Sequence, residues 1–143
     1  MRITDATLNT RSHRPRERGI VTVEMALCLP IVIFLTFALI EYGWLFVKAH
    51  QITNAARQGA RVAATPDVTA GEAQAAVDAV MTDGGMSGSG YSTSINPGVN
   101  GEPGSSLTVT VSVPYANVDL MGIPLIPVPA NLSASTTMAK EGP

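Results

Sequence analysis

Hydrophobic and polar residues divide the chain into three parts. The first 18 residues are polar and show no apolar periodicity. From Ile20 to Val47 the only charged residues are Glu24 and Glu41. These 28 residues would form a helix about 42 Å long at about 1.5 Å per residue, and a membrane span needs only about 20 residues. The pattern predicts a transmembrane helix over residues 20–47. Pro30 is expected to kink this helix, and helices embedded in lipid tolerate such a proline.

Beyond Lys48 the helical pattern continues in amphipathic form. Apolar and small residues recur every three or four positions, at Ile52, Ala56, Gly59 or Ala60, and Ala63. Such small residues allow another element to approach closely, either within the domain or from a neighbouring subunit. Because Thr65-Pro66 ends the pattern, one helix is predicted from Ile20 to Ala64.

A second, shorter helix is predicted over about residues 70–82. Thr69 and Glu72 have the spacing of a capping box, and the apolar residues between Ala73 and Met81 lie on one face. The following "DGGMSGSG" lacks a Lys-Ser/Thr pair and does not open a helix, so it is read as a flexible linker and not as a phosphate-binding loop.

The last third of the chain predicts β-strands. "SLTVTVSVPY" alternates apolar and hydroxyl residues, and "YSTSI" at 91–95 and "NLSASTTMA" at 131–139 are weaker candidates. The prolines of "IPLIPVPA" exclude an internal strand there. The predicted fold is therefore α+β: a long N-terminal helix, then a small head domain with a short helix and a three-stranded antiparallel sheet covered by helix on one face.

Charge predicts the orientation. Residues 1–18 hold five arginines against Asp5 and Glu17, whereas acidic residues outnumber basic ones in the remainder. By the positive-inside rule, residues 1–19 form a cytoplasmic basic leader and residues 48–143 form an exported head. A short basic stretch directly before an apolar run is an orientation signal, so no nucleic-acid partner is expected.

Candidate chemistry is sparse. The single cysteine, Cys28, excludes a disulfide framework and follows Leu27, not the small residues expected at a lipid-attachment site. His13 and His50 fall on opposite sides of the predicted membrane, and the sequence shows no metal-ligand cluster. We therefore expect no enzymatic activity, no metal and no cofactor.

The two glutamates of the apolar run are the candidate site residues. Glu24 either reaches the headgroups from the membrane edge or is kept because it has a charged partner inside the membrane. Glu41, with Tyr42, Trp44 and Lys48, is predicted to lie at the far membrane interface, with a second intersubunit pair as the alternative. Downstream, Arg57 and Arg61 are expected on a solvated face, with acidic residues of the second helix (Glu72 and Asp78) or of a neighbouring subunit as the alternative partners.

Gly19 followed by "IVTVE" resembles the processing site of type IV prepilins, in which a membrane aspartic peptidase cuts after the glycine. Cleavage here would leave Ile20 as the new N-terminus and Glu24 as the fifth mature residue. The resemblance implies that Glu24 pairs with the free amine of a neighbouring subunit. Two opposite charges in a low-dielectric layer cost less together than apart.

More narrowly, "RGIVTVEMALCLPIVIFLTFALIEYG" at 18–43 resembles the TadE-like proteins, pseudopilins or minor pilins of tight-adherence (Flp, type IVc) pilus systems. Met25 departs from the Phe or Tyr frequent after the glutamate in this class. The resemblance implies a pilin-like structural subunit of the bacterial inner membrane. Its partners would be other pilins or pseudopilins, inner-membrane assembly proteins, a prepilin peptidase and the lipid bilayer.

Two alternatives come from other classes. The chain could be an unprocessed, signal-anchored periplasmic module that binds through its sheet, or a secreted domain cut near Val47-Lys48-Ala49. Among tight-adherence pilus proteins, the sequence does not distinguish a TadE-like from a TadF-like role, because the N-termini of the two groups look alike.

Overall fold

The computed structural model describes residues 16–122 and 127–142. Most of the predicted leader and Pro124 lie outside these ranges. The elements are helix α1 (Arg16–Ala64), helix α2 (Ala70–Asp83), strand β1 (Ser92–Asn96), strand β2 (Ser106–Pro114), a short 3₁₀ helix (Tyr115–Asn117) and strand β3 (Asn131–Ala139). This order confirms the predicted α+β fold. The chain divides into two compact units after Phe37, and the second unit, from Ala38 onward, is called the head here.

Helix α1 has 49 residues and continues through Pro30. It begins four positions before the predicted Ile20 and ends at the predicted Ala64. The hydroxyl of Thr65 donates to the carbonyl of Val62 at 2.5 Å, and the Thr65 amide donates to the same carbonyl at 3.1 Å. These bonds close the last turn just before Pro66, which cannot continue a helix.

Helix α2 begins with the predicted capping box. The Thr69 hydroxyl accepts from the Glu72 amide at 3.3 Å, and the Glu72 carboxylate accepts from the Thr69 amide at 2.8 Å. The bond from the Thr69 amide, followed by the bond from its hydroxyl, lowers the pKa of Glu72. The helix therefore starts with two of its free amide groups satisfied by this reciprocal pair.

The glycine-rich loop after α2 is packed against the head. Met86 is buried, and its amide donates to the carbonyl of Met81 at 2.8 Å. The Ser89 hydroxyl donates to the Met86 carbonyl at 2.7 Å, and the Asn117 side chain donates to the Ser89 carbonyl at 2.9 Å. The flexible linker expected from composition is therefore wrong. The loop is packed because Met86, a single methionine among glycines, supplies a core residue.

The three strands form an antiparallel sheet in the order β1-β2-β3. In β2 the alternation predicted from the sequence is realised: the apolar residues Leu107, Val109, Val111 and Val113 are buried. On the opposite face the hydroxyl of Thr108 lies 2.8 Å from that of Thr137, and the hydroxyl of Thr110 lies 2.8 Å from that of Ser135. One face of the sheet thus belongs to the core and the other carries hydroxyl groups.

The core forms where the small residues of α1 meet α2 and the sheet. Its helical members are Ile52, Ala55, Ala56, Ala60, Ala63 and Ala64 from α1, with Ala73, Val77 and Met81 from α2. A Cβ atom at Gly59 would overlap the side chain of Val77 and lie 3.3 Å from a methyl group of Val109. The small-residue stripe of α1 therefore serves packing within the head.

The end of the chain is tied to the end of α1. Lys140 is buried, and its ammonium donates to the carbonyls of Ala63 at 3.1 Å and Thr65 at 2.7 Å. The Glu141 amide donates to the carbonyl of Ala64 at 2.8 Å. A cation at the helix C-terminus satisfies carbonyls that have no partner within the helix and complements the helix dipole.

Candidate functional site

The first candidate surface is an exposed face on the early turns of α1. It consists of Gly19, Ile20, Val23, Glu24 and Leu27, and we call it the N-terminal face. The spacing of four between Gly19, Val23 and Leu27, and between Ile20 and Glu24, places them on one side of a helix. Ile20 is 67% exposed and Leu27 is 68% exposed. The face is therefore an apolar surface with one carboxylate in it.

Gly19 has no packing role among the described residues. A Cβ atom added there would meet nothing within 4 Å. Glycine inside a helix is less favourable than alanine by about 0.5–1 kcal/mol, because the unfolded chain has more freedom to lose. Internal packing thus does not explain this glycine.

Glu24 is exposed on the same face. Among the residues whose side chains are described, 19–122 and 127–142, no group forms a hydrogen bond with its carboxylate. An ionisable side chain surrounded by apolar residues requires a partner or water wherever that surface is covered. Its pairing with a neighbouring amine stays a prediction.

The apolar residues after the N-terminal face are also exposed. Every residue from Gly19 to Phe37 is exposed, including Ile31 at 68% and Phe34 at 45%. By length and composition, one helix of the described chain, Gly19–Ala64, could cross a membrane. Burial along α1 becomes substantial only at Glu41.

Glu41 lies inside the head and is 4% exposed. One carboxylate oxygen accepts a hydrogen bond from the hydroxyl of Tyr115, and the Leu120 amide lies 3.5 Å from the same oxygen. The other oxygen is buried without a hydrogen-bond partner among the described residues. Burial, then the hydrogen bond to Glu41 and the nearby acidic groups, raises the pKa of Tyr115. Glu41 therefore holds α1 to the segment that follows β2.

The other predicted interface residues bind loop carbonyls of the head. The Trp44 indole donates to Val118 at 2.7 Å, the Tyr42 hydroxyl to Pro127 at 2.8 Å and the Lys48 ammonium to Gly84 at 3.3 Å. The Lys48 ammonium also lies 4.6 Å from the centroid of the Trp44 ring, within cation–π range. Sequence reasoning missed these contacts, and the membrane-interface role of the four residues stays a prediction.

The comparison with known families bears on this same helix. Residues 19–61 match the family model of TadE-like protein. The resemblance predicted from the residues around Gly19 and Glu24 is confirmed over this segment, which lies within α1 and leaves α2 and the sheet outside it. The match indicates a structural, Tad pilus-associated protein, and with the candidate span it indicates membrane anchoring. No curated protein and no solved structure matches the chain.

Arg57 and Arg61, near the end of the TadE-like segment, are exposed. Within residues 19–122 and 127–142 they form no ion pair with Glu72 or Asp78. Asp78 instead accepts from the Tyr91 hydroxyl at 2.6 Å and from the Gln74 amide at 2.7 Å. The bond to Asp78, with a smaller effect of burial, raises the pKa of Tyr91 to about 12.

The described part of the chain contains no group of three or more His, Cys, Asp or Glu residues placed to hold a metal ion. Cys28 is exposed within the TadE-like segment.

Proposed function

We propose that this chain is a TadE-like pseudopilin or minor pilin of a tight-adherence pilus machine, processed by a prepilin peptidase after Gly19. The carrying observation is the N-terminal face: Glu24 stands five positions after an unpacked glycine, exposed among apolar residues. The match to the TadE-like family over residues 19–61 supports the same conclusion. The role would be mechanical, in priming, capping or adapting a filament.

Processing would hydrolyse the peptide bond between Gly19 and Ile20. One water molecule adds across the bond, leaving a carboxylate on Gly19 and a free amine on Ile20. Both residues lie in the first turns of α1, which begins at Arg16, so the peptidase must open this turn to reach the bond. A glycine with no packing contacts lowers the free energy needed for that opening.

Association would then use Glu24. The amine created on Ile20 of one subunit and the Glu24 carboxylate of another are each costly in a low-dielectric layer and are stabilised by pairing. Because only one axial offset brings these groups together, the pair would set the register between neighbouring α1 helices. The exposed apolar residues on either side would supply the remaining contact, either with helices of other pilins or with lipid.

The same exposure pattern supports the proposed placement in the membrane. The apolar stretch from Ile20 to Ile40, before buried Glu41, is about 21 residues and roughly 32 Å long, close to the thickness of a bilayer core of about 30 Å. The basic residues of 1–18 favour a cytoplasmic N-terminus and an exported C-terminal part. We keep the leader at 1–19, the span within 20–47 and the exported part at 48–143. Inner-membrane assembly proteins would be further partners.

The N-terminal sequence of the membrane-purified chain, expressed with and without its cognate prepilin peptidase, tests this function. We expect a mature end at Ile20 only when the peptidase is present. Gly19→Ala should slow or abolish cleavage, whereas Gly43→Ala, another exposed α1 glycine whose Cβ would meet nothing within 4 Å, should not. An intact leader with the peptidase present would instead support the unprocessed, signal-anchored module.

A further inference from the structure

Strand β3 is a long edge strand without the features that usually protect an edge. It has nine residues, Asn131–Ala139, and contains neither proline nor a charged side chain. The other edge strand, β1, has five residues and is followed directly by Pro97. Proteins shorten, charge or interrupt edge strands because their free backbone groups pair with other chains. By this criterion β1 is protected and β3 is open.

The hydrogen-bond pattern identifies which groups of β3 are free. The Tyr115 amide donates to Ala130 and the Lys140 amide donates to Ser105, so the ladder to β2 uses the even-numbered residues of β3. The amide and carbonyl groups of the odd-numbered residues point away from β2: Asn131, Ser133, Ser135, Thr137 and Ala139. Within residues 16–122 and 127–142, no hydrogen bond satisfies these groups.

The side chains of the same five residues are exposed and uncharged. Ser133, Ser135 and Thr137 form one column of a hydroxyl-bearing sheet face, opposite Ser112, Thr110 and Thr108 of β2. Lys140, the charged residue that follows the strand, is buried with its ammonium on α1 carbonyls. A second strand could therefore approach the whole length of β3 without meeting a charge on it.

We propose that β3 pairs with β3 of a second copy of this chain, antiparallel about a two-fold axis at Ser135. In this register Ser135 lies opposite its own copy, Ser133 opposite Thr137, and Asn131 opposite Ala139. All five outward-pointing residues then become hydrogen-bonded pairs, and two three-stranded sheets join into one of six strands. The interface is isologous, as expected for a closed dimer.

A second copy is the favoured occupant because the strand is self-complementary in this register. In the three central pairs hydroxyl side chains meet hydroxyl side chains, the outer pairs join Asn131 with Ala139, and no like charges meet across the pairing. A register shifted by one residue would place the even-numbered residues of one copy opposite the odd-numbered residues of the other. The backbone groups of the even-numbered residues already bond β2, so they could not pair with the free groups. The contact involves the head alone, so it holds or fails independently of cleavage after Gly19.

Disulfide formation in the full chain in membranes tests this register, with Cys28→Ser as the background. Paired Cα atoms about 5.5 Å apart lie within disulfide range, so Ser135→Cys should give a covalent dimer under mild oxidation. Ser133→Cys and Thr137→Cys should each fail alone and succeed when combined. Ser94→Cys, on the same sheet face in β1, is the matched control and should stay monomeric.

A backbone variant tests whether the edge itself makes the contact. Ser135→Pro removes an amide that β2 does not use, so the head should stay folded while cross-linking through the combined 133 and 137 cysteines falls to the Ser94→Cys level. Fluorescence of Trp44, the single tryptophan, verifies that the variant is folded. Ser135→Ala is the control that keeps the backbone amide, and it should leave cross-linking unchanged. Equal dimer yields at positions 135, 133 and 94, or cross-links of position 135 to a different protein only, would overturn the proposal. Cross-linking that survives Ser135→Pro in a folded head would overturn it as well.

Discussion

Helix α1 has two segments, one up to Phe37 and one from Ala38 onward, and they use apolar residues differently. Ile31 in the first segment is 68% exposed, whereas Ile52 in the second is 1% exposed. The first segment carries bulky Leu, Ile, Val and Phe residues around its circumference, and the second carries a stripe of Ala and Gly on one side. Bulky residues suit lipid or other helices, while small residues let α2 and the sheet approach the backbone. Residue size, beyond hydrophobicity alone, separates the two uses.

The glutamates extend this comparison. Glu24 in the first segment is exposed, and Glu41 in the second is buried with Tyr115 as its donor. A carboxylate that already has a partner in its own domain contributes to folding. One without a partner among the described residues of its own chain is available for association. Both are charged residues in one apolar run, and they are distinguished by what surrounds them.

The largest contrast is expected between the two isoleucines. Ile52→Ala should lower the free energy of unfolding by about 2–5 kcal/mol, since it leaves a cavity in the head core. Ile31→Ala should change it by less than about 0.5 kcal/mol, because an exposed side chain loses no packing. Denaturant unfolding in detergent, followed by Trp44 fluorescence, measures both. A similar loss in the two variants would remove the distinction.

A smaller contrast is expected between two glycines of α1. Gly59→Ala should cost about 1–3 kcal/mol, because its Cβ overlaps Val77 and forces the core apart. Gly43→Ala is the matched control and should cost nothing, since a Cβ there has open space and alanine is more favourable than glycine in a helix by about 0.5–1 kcal/mol. The same unfolding measurement applies. A neutral Gly59→Ala would show that the stripe does not set the close approach of α2.

Removing the Tyr115 hydroxyl, which donates to Glu41, should lower the free energy of unfolding by about 1–3 kcal/mol. Tyr115→Phe leaves a buried carboxylate without its main hydrogen bond, which costs more than the loss of an exposed bond. Tyr42→Phe, which removes an exposed hydroxyl bond to Pro127, should cost less than about 1 kcal/mol. Equal effects would indicate that Glu41 is satisfied by other groups.

The smallest effect is expected at high pH. The pKa of Tyr91 is raised to about 12 in the folded chain, whereas an unfolded tyrosine ionises near pH 10. The folded state thus favours the neutral hydroxyl, so this contribution to stability is complete below pH 10 and is lost as pH rises through about 12. The difference in unfolding free energy between the wild type and Tyr91→Phe should shrink over this window. A constant difference would contradict the bond to Asp78.

Local signals in the sequence predicted most of the elements. The capping pair Thr69 and Glu72 marked the start of α2, Thr65-Pro66 marked the end of α1, and alternation marked β2, because each signal acts within a few residues. The contacts of Glu41 and Trp44 were not predicted. Their partners, Tyr115 and Val118, lie 74 residues further along the chain. No local pattern specifies which distant hydroxyl or carbonyl a helix will meet.

The N-terminal face shows the opposite limit. The resemblance to prepilins pointed to Gly19, and it added weight to Glu24 as an ionisable residue in the apolar run; the structure adds that a Cβ at Gly19 has open space and that Glu24 is exposed. In the function proposed above their partners are other molecules, and the fold of one chain does not test that part of the proposal.

Pilus assembly by the host carrying Glu24→Gln tests the central claim most directly, namely that Glu24 acts between chains. Gln keeps the size of the side chain and removes its charge. We expect filaments to be lost or strongly reduced while the unfolding free energy of the head stays unchanged, with Glu24→Asp retaining partial assembly. Normal filament assembly by Glu24→Gln would contradict the claim.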